Sequence, residues 1–351
     1  MTATTQISAT WIQSSDSRAH VAGRDIGIDT MRGIAILMVV GIHSLPQPLD
    51  APWEKLLDAA LRPCVPIFLF ASGYLTALSG RVLLWKRIRA ALIPYAIAFV
   101  AAYVYMAWHN PEMDHRLITT VARFGLAYVF VYYYVFVYIG CTACLWLAFR
   151  LSERSPPDTR QRLIVILSLS ILFGLVVGAY IDPLLLHDGV RDSLVQEVRL
   201  RDIPFWFSFV ALGAIVGATS AGLALRDMYR SVAGATLIAY AIYAGVRIFG
   251  IGDAADYDSI AFFGYAALLS VLLFALHPKV RFLAFIGSGS YFVYLWHIFV
   301  IMILRDHASL RDSGAVADFA ITYAVTAALS ILALLLIRRT ASARVAQWLG
   351  A

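Results

Sequence analysis

Apolar runs of about 20 residues recur from one end of this chain to the other, and each is long enough to cross a hydrocarbon core roughly 30 Å thick. Inside a bilayer no water is available to the backbone, so such segments have to close their own hydrogen bonds as helices. Ten of them are read at approximately 30–46, 62–79, 90–108, 125–149, 163–181, 203–220, 231–249, 259–276, 283–304 and 316–337. Charged residues make up only 14% of the 351 positions, against about a quarter in a soluble domain. The chain is therefore expected to be all-α, a polytopic transmembrane helical bundle. Residues 1–28 are polar and lack the short apolar core of a signal peptide, and are read as a cytoplasmic N-terminal tail. Residues 29–338 form the transmembrane domain, and 339–351 a cytoplasmic C-terminal tail.

The connections between the runs alternate in chemistry. One set, "RVLLWKRIR", "RLSERSPPDTRQR", "RDMYR", "HPKVR" and "RRTASAR", is rich in Arg. The other, including "LDAPWEKLLD", "HNPEMDHR" and "IGDAADYDS", holds most of the Asp and Glu. By the positive-inside rule the first set faces the cytoplasm, and an even number of spans then leaves both termini there. The formal charge of +6 is explained by this anchoring to the lipid bilayer, so nucleic acid is not an expected partner. No metal is expected either: Cys141 and Cys144 in "CTAC" have no second ligand pair. The outer stretch "RDSLVQEVRLRD" reads as a short surface helix after a turn at "HDGV".

The first apolar run, "IDTMRGIAILMVVGIHS", keeps an Arg at its start and a His near its end, with ten residues between Arg32 and His43. Eleven helical steps return to nearly the same face and rise about 16 Å. Both side chains thus point the same way at different depths, and Asp29 is placed to pair with Arg32. A snorkelling Arg and a helix-end His would give the same letters. Ionisable groups in a span normally face a cavity or a partner, so the physics of the residues leads to a polar cavity along this helix and no further.

Five segments, in order, carry a resemblance. The first run resembles the opening helix of the acyltransferase-3 family of integral membrane acyltransferases, whose hallmark is Arg, ten residues, His. "VPIFLFASGYL" resembles that family's second helix and "WKRIRAALIPY" the basic start of its third. "FWFSFVALGAIVG" resembles a later aromatic helix ending in Leu-Gly, and "FIGSGSYFVYLWHIFVI" the ninth. The fourth-helix region departs from the family pattern, with "VYYYVFVYIG" in place of a His- and Trp-containing stretch.

The resemblance implies a polysaccharide O-acetyltransferase type of enzyme. It would move an acyl group, acetyl by default, from cytoplasmic acyl-CoA to a hydroxyl of an extracytoplasmic glycan or lipid-linked oligosaccharide. The donor, acetyl-CoA, would be a substrate, with no permanently bound cofactor. The setting would be a bacterial inner membrane, with which the dominance of Arg over Lys agrees. His43 suits a general base because imidazole accepts and returns protons near neutral pH. Arg32, supported by Asp29, either contacts the donor or orders the entrance. Lys86, Arg87 and Arg89 read as plain cytoplasmic anchoring taken alone, and with the resemblance as contacts for the CoA phosphates. Ser72, Tyr74, Tyr133, Tyr134, Trp296 and His297 are expected to line the cavity, each with packing as its simpler reading. Export of glycan or acyl donor without chemistry, by the same fold, is the alternative the sequence leaves open.

Overall fold

A computed structural model describes residues 25–110, 112–127, 131–153, 158–219, 221–251, 258–308 and 310–351. The N-terminal tail up to residue 24 and the "GDAAD" connection lie outside the described residues. Sixteen α-helices follow one another: α1 (Ile26–Ser44), α2 (Pro52–Leu61), α3 (Cys64–Ser79), α4 (Leu84–His109), α5 (Leu117–Gly125), α6 (Tyr133–Ser152), α7 (Thr159–His187), α8 (Asp192–Leu200), α9 (Ile203–Ala218), α10 (Ala221–Asp227), α11 (Tyr229–Phe249), α12 (Ile260–Leu276), α13 (Arg281–Ser288), α14 (Ser290–His307), α15 (Ala315–Thr340) and α16 (Ala343–Leu349). A short 3-10 turn at Leu310–Ser313 precedes α15. No strand occurs among the described residues.

Among the described residues, eight helical stretches are long and apolar enough to cross a membrane. The pair α13 and α14 makes a ninth, bent by 79°, and α12 is apolar but only 17 residues long. Every apolar run read from the sequence thus has a helical counterpart. Two differ in shape. The fourth starts at Tyr133, because Gly125 already closes the separate helix α5. The ninth is broken at Gly289 rather than continuous. The acidic connection after α1 is also not a plain loop. Pro52 sits in the first turn of α2, and the Glu54 carboxylate accepts from the backbone N–H groups of Asp50 and Ala51. This combination starts a helix.

Helices in lipid gain little from hydrophobic association and pack through small residues instead. Two crossings show this. A Cβ added at Gly33 would overlap the Leu283 carbonyl, and one at Gly287 would overlap that of Asp29, so α1 and α13 touch backbone to backbone. Gly73 and Gly213 do the same for α3 and α9 against Val210 and Phe70. These central helices carry the buried core, including Ile36, Val40, Phe70 and Phe209. By contrast α7 turns Leu169, Phe173 and Val176 outward, as a lipid-facing helix does.

The Arg-rich connections "RDMYR" and "HPKVR" meet at one end of the bundle, where Arg226 lies 3.4 Å from His277. Asp25, at the start of α1, lies 3.6 Å from His277 of "HPKVR", and Thr30 meets the backbone of Val280. The C-terminal helix α16 packs at the same end: the Leu349 carbonyl accepts from Trp296, and Gly350 lies beside Pro94 and Tyr291.

Candidate functional site

The first helix presents Arg32 and His43 to one cavity. Asp25 caps its start, accepting from the N–H groups of Gly27 at 2.8 Å and Ile28 at 3.2 Å. Its far end is held by Arg305 of α14, which donates to the Leu45 carbonyl at 2.8 Å. A cation is favoured there because the last carbonyls of a helix carry partial negative charge. Between these fixed ends α1 exposes Arg32 and His43 to a cavity of about 530 Å³ enclosed by α1, α3, α4, α6 and the start of α14.

The Arg32 end of the cavity is rich in hydrogen-bonding groups. Arg32 lies 3.3 Å from the Asp29 carboxylate and donates to Ser290 Oγ at 3.1 Å. Ser290 is the first residue of α14, so the break at Gly289 turns a helix start toward the Arg32 guanidinium. Arg87 of α4 donates to Thr76 Oγ1 at 2.6 Å, and Thr76 in turn donates to the Ser72 carbonyl at 2.6 Å. Arg87 and Ser72 both line the cavity. The basic cluster is divided by helical rotation: Lys86 and Arg89 line a separate groove with Pro94, Gln347 and Trp348.

The His43 end is more enclosed. The ring of His43 faces that of His297, with centroids 5.3 Å apart and planes inclined by 38°. His297 is fully buried, and its Nδ1 lies 2.8 Å from the Tyr294 carbonyl and 3.0 Å from that of Val293. Tyr133 and Tyr134 of α6 line the cavity wall, and Tyr134 packs edge-on against Tyr294 at 5.5 Å. Three residues expected on the cavity wall lie off it: Tyr74, Trp296 and His297, the last meeting it only through its ring contact with His43. Tyr74 packs on Phe274 at 4.8 Å, away from the cavity lining. Trp296 stacks on Phe299 at 5.3 Å and bonds the Leu349 carbonyl of the C-terminal segment. Adjacent residues on a helix diverge by about 100°, and here Trp296 turns to the C-terminal segment while His297 turns to His43.

A family model for the acyltransferase-3 acyltransferase domain matches residues 25–337. The chain belongs to the acyltransferase-3 family. No curated protein and no solved structure matches it. The match begins at the cap of α1 and runs into α15, so it takes in every membrane helix described above. The protein is an integral membrane acyltransferase. A member of this family must admit an activated acyl group and a nucleophile to a shared space, and the cavity beside α1 has the polar ends and the apolar walls that such a space requires.

Three polar residues at or beside this cavity escaped the sequence reading. Ser290 is hidden in a stretch that looks like unbroken helix. Arg305 lies beside Asp306 in the last turn of α14 and looks like a surface residue. Arg62 also lines the cavity. Its Nε donates to Asp58 at 2.6 Å, and Arg247 of α11 donates to the same carboxylate oxygen at 2.5 Å. The i,i+4 spacing of Asp58 and Arg62 was a readable signal; the second Arg, from a distant helix, was not. Among the described residues no group of three or more His, Cys, Asp or Glu could hold a metal ion.

Proposed function

We propose that the protein is an O-acyltransferase of a bacterial inner membrane that moves an acyl group, acetyl by default, from cytoplasmic acyl-CoA to a glycan hydroxyl on the far side. The observation that supports this reading is the placement of Arg32, Arg87 and His43 on one cavity, with the two Arg toward the Arg-rich end of the bundle and His43 deeper along α1. A long, thin pantetheine arm suits such a cavity. Its thioester would reach His43 while the anionic part of CoA stays near Arg87 and Arg32, with Asp29 and Ser290 orienting the second guanidinium. The basic groove with Lys86 and Arg89 lies at the same end, available to the phosphates.

His43 then acts as general base. It takes the proton of the attacking hydroxyl as the oxygen bonds to the thioester carbonyl carbon. The carbon–sulfur bond breaks when the tetrahedral intermediate collapses, and the departing thiolate receives that proton from the imidazolium. A base of this kind contributes about 10²–10⁴-fold. The acceptor, a polysaccharide or its lipid-linked precursor, would approach from the end where Arg62 and Tyr133 lie.

Purified protein in detergent, given radiolabelled acetyl-CoA, is expected to release label to water or to an added glycan. His43→Ala should lower turnover by about 10²-fold or more while CoA still binds. Near-normal turnover in His43→Ala would end the proposed mechanism. Donor-independent glycan flux that survives His43→Ala would replace the enzyme with an exporter.

A further inference from the structure

His297 holds its proton on a known side. Carbonyl oxygens only accept hydrogen bonds, so the nitrogen that sits between the Tyr294 and Val293 carbonyls has to be the donor. The ring is fully buried, and a neutral imidazole with hydrogen on Nδ1 leaves Nε2 as a bare acceptor. That Nε2 is buried and has no hydrogen-bond partner among the described residues. A buried acceptor left unmatched is destabilising, and such a group is retained more readily where it has a task.

The ring across from it is His43, at a centroid separation of 5.3 Å. Two imidazoles joined edge to edge by one N–H···N bond have centroids about 5 Å apart, a normal hydrogen bond plus the two ring radii. Hydrogen bonds of a catalytic site are often long in the free protein and tighten when substrate is bound. His43 is anchored through the end of α1, where Arg305 grips the backbone, which holds its ring opposite that of His297.

We propose that His297 is the positioning residue of His43: its Nε2 accepts the N–H of His43, leaving the other His43 nitrogen unprotonated and aimed at the acceptor hydroxyl. His297 thereby fixes which tautomer of His43 meets the substrate. When His43 takes the hydroxyl proton, the N–H shared with His297 is already in place to face an acceptor, so the imidazolium forms beside a lone pair. No proton leaves His43 toward His297; it returns to the departing thiolate. The inference rests on His43 being the base.

Two near-isosteric substitutions separate positioning from mere packing. In His297→Asn the side-chain amide can still donate to the helix carbonyls but loses the acceptor that faces His43. In His297→Gln an amide oxygen reaches the position of Nε2 and keeps that acceptor. With radiolabelled acetyl-CoA as donor, Asn is expected to lower kcat by about 10²-fold with the donor KM changed less than about twofold, and Gln to stay within about fivefold of the parent. Added to His43→Ala, Asn should cost less than about twofold more, because the two rings act as one unit. Full activity in Asn, or equal losses in Asn and Gln, would overturn the proposal. So would a full further loss from Asn in the His43→Ala background. Thermal unfolding in detergent identifies a variant that fails to fold. Should Asn fail, a folded Gln variant decides: near-parent turnover supports the proposal and turnover at the His43→Ala level overturns it. Near-normal rates in His43→Ala itself would instead remove the underlying base reading.

Discussion

Asp58 is 1% exposed and accepts from two guanidiniums, Arg62 on its own helix and Arg247 on α11. Its removal would leave a buried and a half-buried cation facing each other without their shared carboxylate. Breaking a buried ion pair by deleting one partner typically costs about 3–5 kcal/mol. Asp58→Ala is therefore expected to lower the Tm measured in detergent markedly, and to lower acyl transfer as well, because Arg62 lines the cavity. An unchanged Tm would show that the network contributes nothing to stability. At this scale the sequence was informative wherever two partners lie within a turn or two of each other. Arg32 and Asp29, or Arg62 and Asp58, can be paired on paper. His43 with His297, and Asp58 with Arg247, cannot, because each pair joins helices far apart in the chain.

At the level of elements, the crossing of α1 and α13 sets the geometry around Arg32. Gly33 and Gly287 let the two backbones meet, and the break at Gly289 then delivers Ser290 to the Arg32 guanidinium. Gly287→Ala has no room for its methyl beside the Asp29 carbonyl, so α13 must move away. The expected loss is about 1–3 kcal/mol, the usual range for overpacking, together with a fall in turnover. Gly234→Ala on α11 has nothing within 4 Å of the new methyl and is expected to be neutral or to stabilise by up to about 1 kcal/mol, the gain of Ala over Gly inside a helix. Equal effects of the two on detergent Tm would remove the close crossing from the account. The glycines of "FIGSGSY" were visible in the sequence as a resemblance. Their physical purpose, a backbone contact followed by a bend, emerges only when α1 is laid against them.

The whole molecule has one strongly basic end, where the start of α1, the "HPKVR" connection and α16 come together. If that end is cytoplasmic, a cysteine in place of Ser342 should be labelled by an impermeant thiol reagent only after the membrane is opened. One in place of Asp188, in the exposed connection between α7 and α8, should be labelled on intact cells. The background for both needs Cys64, Cys141 and Cys144 replaced, since all three are free thiols. The reverse labelling pattern would invert the bundle and put His43, rather than Arg32, toward the cytoplasm.

Hydropathy and charge are local properties, so the sequence by itself determined that ten apolar helices exist, which connections are basic, and that Arg32 and His43 share one face of the first helix. How each remaining helix is rotated about its axis depends on contacts with helices hundreds of residues away, and no local pattern records it. Tertiary structure alone decided that Arg87 faces the cavity while Lys86 and Arg89 turn to another groove, and that His297 meets His43 while its neighbour Trp296 packs against the C-terminal segment. It alone broke the ninth span at Gly289, because a bend is stable only where other helices cover the backbone that it exposes.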